Sequence, residues 1–237
     1  MTIELNSELL SYLADNGCQR GDRLPTIPEL AQTLGISSGK LREQLEVARE
    51  MGLVEVRPKT GIRLKGYDFF PMLRANLLFG LAMDSSLFEQ YSMLRNHVEA
   101  AFFHRAVASL EPADVQELRA LVEQAWDKLQ GAPVQIPHDE HRQLHLTIYK
   151  RLDNLYVQGL LKAYWEAYEA VGLDLYTDYS YLEQVWTYHQ QMVEAIAAGE
   201  LDTAHHLLVE HTELIHRRPG SNEHSATAAQ AVGAARS

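Results

Sequence analysis

The chain has 237 residues and a formal net charge of −11, from 21 Lys and Arg against 32 Asp and Glu, with a single cysteine. That length exceeds one domain of ordinary size. Cys18 has no internal disulfide partner, which points to a reducing, cytoplasmic setting. The opening MTIELNSELL carries acid where a secretion signal carries base, and the longest uncharged apolar run, 75–83, is too short to span a bilayer, so a soluble protein is expected.

The charge is unevenly placed. Residues 1–66 hold nine basic and nine acidic side chains, so the remainder carries twelve against twenty-three and accounts for the whole excess. A neutral head on an acidic body fits a protein that touches DNA at one end.

The head is the most informative stretch. Thr26 and Glu29 supply the T-x-x-E of a capping box, opening a helix through Leu30, Ala31 and Leu34 that stops at Gly35. Ser37 or Ser38 caps a second helix with apolar positions Leu41, Leu45 and Ala48. A tight turn between two such helices is the helix-turn-helix signature. After Gly52 the period becomes two: Val54 and Val56 face one way, Glu55 and Arg57 the other, 58–61 make a turn, and Ile62 and Leu64 return. Arg57, Lys59, Arg63 and Lys65 make this hairpin basic, with no acid between them. The spacing predicts a winged helix-turn-helix over 1–66. The competing reading is a solvated hairpin on an ordinary small domain.

From Phe69 onward the periodicity is helical, over 69–83, 86–109, 112–130, 138–152, 155–172, 180–198 and 201–216, broken at Glu111-Pro112, 131–133 and Gly199. The expected fold is mainly α: a winged helix-turn-helix followed by an all-helical bundle of six or seven helices over 67–218, large enough for an internal pocket. The small, polar, aperiodic stretch 219–237 is expected to be disordered.

Eleven histidines are present, and four have spacings that allow convergence. His141 and His145, at i and i+4, share one helix face; His189 and His211 lie on two later helices. Helical bundles build metal sites in this way, and imidazole suits Zn²⁺, Ni²⁺ or Cu²⁺. Taken singly, each is more often a structural histidine than a ligand. His138, directly after Pro137, is expected in solvent, and His104, His205, His206, His216 and His224 at the surface or a boundary.

The head resembles the GntR family of bacterial transcription regulators through Leu24-Pro25, Glu29-Leu30-Ala31, Leu34-Gly35-Ile36-Ser37, Leu41-Arg42-Glu43, Leu45, Gly52-Leu53-Val54 and Gly61. The body resembles the FCD ligand-binding domain of its FadR-type branch: His145 is followed by Ile148 and Asn154, His189 by Gly199, and Gly199 by His211 twelve residues on. The resemblance spans nearly everything from Gly21 to His216. It implies a divalent metal, Zn or Ni, held by His141, His145, His189 and His211. It also implies a small carboxylate effector near Arg95, which with Glu99 matches the family's R-x(3)-E pattern. The other reading of Arg95 is an intrahelical pair with Glu99. His141 stands where the family usually has aspartate, and Pro28 and Ser38 stand where members often carry arginine.

The resemblance further implies a ligand-responsive regulator, not an enzyme, acting as a homodimer on palindromic double-stranded DNA. Lys40 and Arg42 would enter the major groove, and Lys59, Thr60 and Gly61 would bring the wing to the backbone. Thr26, Ser37, Ser38 and Arg49 complete the expected DNA-facing set. Two alternatives stay open: a metal sensor whose effector is the ion, and a metal-dependent enzyme with an appended DNA-binding domain.

Overall fold

A computed structural model describes residues 5–57, 61–175 and 178–214. The chain forms two compact units, Met1–Asn76 and Leu77–Ser237. The expected disordered tail at 219–237 and the wing-tip residues Lys59 and Thr60 lie outside the described residues.

The first unit begins with a helix that the periodicity analysis did not anticipate, α1 (Glu8–Asp15), capped by Ser7, whose Oγ accepts from the Leu10 N–H. Its Leu9 and Leu13 are buried. Next come α2 (Ile27–Leu34) and α3 (Ser38–Glu50), joined through Gly35. Gly35 ends α2 at φ 66°, a left-handed conformation that favours glycine. At the start of α2 the Glu29 carboxylate accepts from both the Thr26 N–H (2.9 Å) and the Thr26 hydroxyl (2.7 Å). Ser37 caps α3, its Oγ accepting from the Lys40 N–H at 3.1 Å.

Strands β1 (Val54–Arg57) and β2 (Gly61–Leu64) pair antiparallel, Val54 opposite Leu64 and Arg57 opposite Gly61. The segment before α2 adds to the free side of β2: Leu24 N–H donates to the Ile62 carbonyl at 2.9 Å and Gly21 N–H to that of Leu64 at 2.8 Å. Val54 and Ile62 reach the core formed by Leu9, Leu30, Leu41 and Leu45, whereas Val56, nearer the wing tip, is exposed.

Among the described residues the second unit contains α4 (Phe70–Met83, which begins in the first unit), α5 (Leu87–Ala108), α6 (Pro112–Gln130), α7 (His138–Tyr149), α8 (Leu155–Ala170), α9 (Tyr179–Ala198) and α10 (Leu201–Glu213). Helix α9 packs on α6 and α10, and α5 on α7, α8 and α10. Phe103, Leu118, Leu144, Ile148, Trp186, Met192 and Leu208 form the main core. A second cluster gathers Leu81, Phe88, Tyr164, Trp165 and Tyr168. No helix among the described residues is long and apolar enough to cross a membrane.

Gly52 makes a testable demand on the first unit. Its φ is +74°, and a Cβ there would lie 2.7 Å from Pro71 Cγ, inside van der Waals contact. Gly52→Ala is expected to destabilise this unit by about 1–3 kcal/mol, read by urea unfolding.

Candidate metal and effector site

Three helices of the second unit bring the histidines together. Helix α7 supplies His141 and His145 one turn apart, α9 supplies His189 and α10 supplies His211. One ring nitrogen from each lies within 4.8 Å of the other three. His145 Nε2 and His189 Nε2 are 3.2 Å apart, and the His189 and His211 ring centroids are 4.2 Å apart. His145 and His189 are wholly buried, and His211 nearly so.

Burial favours the neutral form of two of the four histidines. It lowers the pKa of His145, an effect that Glu99 partly opposes, and it takes His189 well below the ordinary imidazole value, helped by the neighbouring His211 and His141. Neutral imidazoles offer the lone pairs that a divalent metal requires. His189 Nδ1 is buried without a hydrogen-bond partner among the described residues. Donor type, convergence and protonation therefore fit a borderline divalent ion such as Zn²⁺ or Ni²⁺.

Helix α5 lines one side with Arg95 and Glu99. Their ion pair, 2.9 Å between Arg95 Nη2 and Glu99 Oε2, is almost completely excluded from solvent. The intrahelical pairing considered for Arg95 is present, and it is buried beside the cluster rather than solvated. His145 Nδ1 lies 2.9 Å from Arg95 Nη2 and 3.2 Å from Glu99 Oε1. The two contacts need different tautomers: a bare Nδ1 accepts from Arg95, whereas Nδ1–H donates to Glu99. The second tautomer leaves the Nε2 lone pair aimed at His189, the arrangement usual for a metal-ligating histidine with a carboxylate behind it. Burial alone would raise the Glu99 carboxyl, but Arg95 and His145 outweigh it and hold it below the usual range.

The rest of the wall is aromatic and was not singled out from the sequence. The Arg95 guanidinium sits 4.5 Å from the Tyr164 ring centroid, and Trp165 packs edge-on to His141 at 4.7 Å. Trp186 lies 4.8 Å from His189. The run Tyr164, Trp165, Tyr168 on α8 was a usable signal, since i, i+1 and i+4 positions place bulky rings along one side of a helix. Two cavities of about 20 Å³ each adjoin His141, one of them lined by Arg95, Tyr164, Tyr181 and Thr212. A larger hollow of about 670 Å³ lies in the first unit beside α1, open to solvent and lined by none of the histidines.

Among the described residues the other histidines do not join the cluster. His138, expected in solvent, is mostly covered: Nε2 is 3.0 Å from Glu169 and the ring stacks on Tyr168 at 5.8 Å. Pro137 starts α7 so close to α8 that the His138 side chain meets Tyr168 before it meets water. His104 is half exposed and contacts Asp202; His206 is exposed. His216 and His224 lie outside the described residues.

The DNA-facing candidates lie in the first unit. Ser37 and Ser38 start α3, Thr26 starts α2, and Gly61 starts β2 with the Arg23 guanidinium beside it. Arg42 is exposed, with no hydrogen bond or ion pair among the described residues. Arg49, in the last turn of α3, is paired with Glu46 at 2.7 Å and Glu50 at 3.1 Å. Lys40 is paired with Glu8 of α1. Arg23, not selected from the sequence, joins Arg63 in an isolated bridge that places two arginines side by side at the base of the wing.

Residues 90–214, more than half of the chain, match the family model for the FCD domain. This chain belongs to the FCD-domain family of GntR-type transcriptional regulators. The fold agrees with a GntR protein from Streptococcus agalactiae at a TM-score of 0.64 and 21% identity, covering 88% of this chain and 95% of that one. E. coli McbR/YncC aligns over the same shares, at 20% identity and a TM-score of 0.46. No curated protein matches the sequence at a significant level. An FCD-domain regulator of this type is not an enzyme. Glu194, the acidic residue nearest after His189, is exposed and bonded to Gln190, not turned toward the cluster as a general base would be.

The buried ion pair has a measurable consequence for this FCD domain. Removing one partner strands the other charge in the core, so Glu99→Ala is expected to cost about 3–5 kcal/mol in urea unfolding. Replacing both partners together, Arg95→Met with Glu99→Leu, is expected to cost less than the single change.

Proposed function

We propose that this regulator senses a small carboxylate through a divalent metal held by His141, His145, His189 and His211. On this reading it binds a palindromic operator as a cytoplasmic homodimer. The observation that carries the proposal is the convergence of four imidazoles within 4.8 Å beside a buried arginine.

A bound ion would supply a Lewis-acidic centre for an anionic ligand. Four neutral imidazoles leave its +2 charge undiminished, where a carboxylate at the His141 position would remove one unit, and this favours anions. Arg95, already desolvated and held by Glu99, adds a fixed positive group on the same side. Tyr164 and Trp165 hold that guanidinium from its ring-facing side and keep water from it. The cavities beside His141 have room for roughly one water molecule each, so admission of a carboxylate requires side chains of the aromatic wall to move. That movement supports coupling to DNA: an effector acts only through a difference in its affinity for DNA-competent and DNA-incompetent states.

On the DNA side, exposed Arg42 on α3 supports a major-groove contact, with Arg23, Arg63 and the start of β2 at Gly61 supporting wing contacts to the backbone. Lys59 and Thr60, outside the described residues, are assigned to the same contacts from the sequence.

A second reading is favoured by the tightness of the site. With four protein donors and little free volume, the ion itself becomes the effector, and DNA affinity then responds to metal alone. A thermal-shift screen of small carboxylates with and without chelation tests both readings. A ligand specific to the native state adds ~2.7 kcal/mol at a hundredfold over its dissociation constant. A carboxylate shift that disappears on chelation is expected; shifts indifferent to chelation would remove the metal from the mechanism. Metal-dependent DNA affinity without any carboxylate response would favour the second reading.

Arg42→Ala is expected to weaken binding to a duplex selected from random sequence by about 1–3 kcal/mol, measured by fluorescence anisotropy with the fold intact by circular dichroism.

A further inference from the structure

Helix α1 places a carboxylate against the start of α3. Glu8, in the first turn of α1, pairs through one oxygen with the Lys40 ammonium and through the other with the Gln44 side-chain amide. Gln44 is itself locked: its Oε1 accepts from the Leu9 N–H at 2.9 Å and from the Ser7 hydroxyl at 3.1 Å. Leu9 beneath is fully buried in the core shared with Leu41 and Leu45. The Glu8 side chain thus stands on a rigid base, and these bonds lower its pKa to about 2, so it stays ionised at every working pH.

The location gives the contact its meaning. Lys40 lies in the first turn of α3, the end of a recognition helix that approaches the groove, two residues from unpaired Arg42. Lys40 and Glu8 keep 50% and 40% of their side-chain surfaces exposed, so the pair stays in contact with solvent and would face the phosphates. Phosphate attraction by free lysine and arginine supplies essentially all sequence-independent DNA affinity. A lysine neutralised in place contributes little to that term, while the base-directed contacts of its neighbours are untouched.

We propose that Glu8 is a specificity-determining residue of the DNA-binding unit, occupying Lys40 so that it does not bind phosphate and thereby suppressing affinity for unrelated DNA. The proposal rests on the reading of α3 as the recognition helix. It assigns Lys40 a different role from the groove contact expected from the sequence.

The test uses the full chain and a 20-base-pair duplex of arbitrary sequence, with anisotropy titrations across a salt series. Glu8→Gln retains an acceptor for Gln44 and removes the charge. It is expected to bind roughly 3–10-fold tighter at 0.1 M salt, and to steepen the slope of log affinity against log salt by about 0.9, the value for one added phosphate contact. In a Lys40→Gln background the same change at Glu8 is expected to give no gain. An unchanged slope in Glu8→Gln overturns the proposal, as does a gain that persists without Lys40, which would mean that Glu8 acts by direct repulsion. Arg42→Ala, titrated in parallel on the same duplex, separates the two levels. If it weakens binding while Glu8→Gln changes nothing, only the role of Glu8 fails; if Arg42→Ala changes nothing, the recognition-helix assignment fails and the proposal with it.

Discussion

The second unit is organised around a cost: three imidazoles and an ion pair are buried, with a fourth imidazole partly covered beside them, where most cores hold only hydrocarbon. A buried polar group without a partner is expensive, and a buried unpaired charge more so. Several contacts near the cluster offset part of that cost. Arg95 and Glu99 neutralise each other one turn apart on α5. Glu99 also reaches His145, and the Tyr149 hydroxyl donates to the Glu99 backbone carbonyl at 2.8 Å. Burial lowers the basicity of His145 and His189, which favours their neutral form. Such a core contributes less to stability than an apolar one of equal size would. Its persistence in the middle of a largely aliphatic and aromatic core fits a binding role better than a packing role.

The first unit follows the opposite logic. Its core is small and wholly apolar, and its polar groups lie on the surface, where they shape an electrostatic face. That face is not a uniform basic patch. On α3, Arg49 is neutralised by Glu46 and Glu50, and Lys40 by Glu8, leaving Arg42 as the unpaired cation of the helix among the described residues. Arg23 and Arg63 concentrate positive charge at the base of the wing instead. An acidic protein with this distribution attracts DNA weakly in general, and depends on a few placed contacts for recognition.

Local signals in the chain were strong enough to mark most elements. Gly35, Ser37 and Gly52 punctuate the head, and Pro112, Pro137, Asn154 and Gly199 bound the helices of the body. Glycine at positive φ and side-chain caps act within a few residues, so they can be read without knowing the fold. Helix α1 escaped because it spans only two turns, and its case rests on Leu9 and Leu13 reaching a core that other segments build. The pairing of Arg23 beside β2 escaped for the same reason: a strand made by one isolated bridge has no period of its own.

By itself, then, the sequence determined the kinds and order of the elements, the helical spacing that puts His141 and His145 on one face, and the family to which the chain belongs. Tertiary structure alone decided which side chains meet. His189 and His211 are 22 positions apart and His145 is 44 before His189, yet their nitrogens share one small volume because α9 packs on α10 and on α6, and α6 packs on α7. Whether Arg95 was a solvated surface residue or a buried one could not be read from its i, i+4 glutamate, since that spacing is the same in both settings. The pairing of Lys40 with Glu8 was equally hidden. Sequence periodicity reports which face of a helix is apolar, whereas the neutralisation of one charge by another across 32 residues depends on how two helices dock.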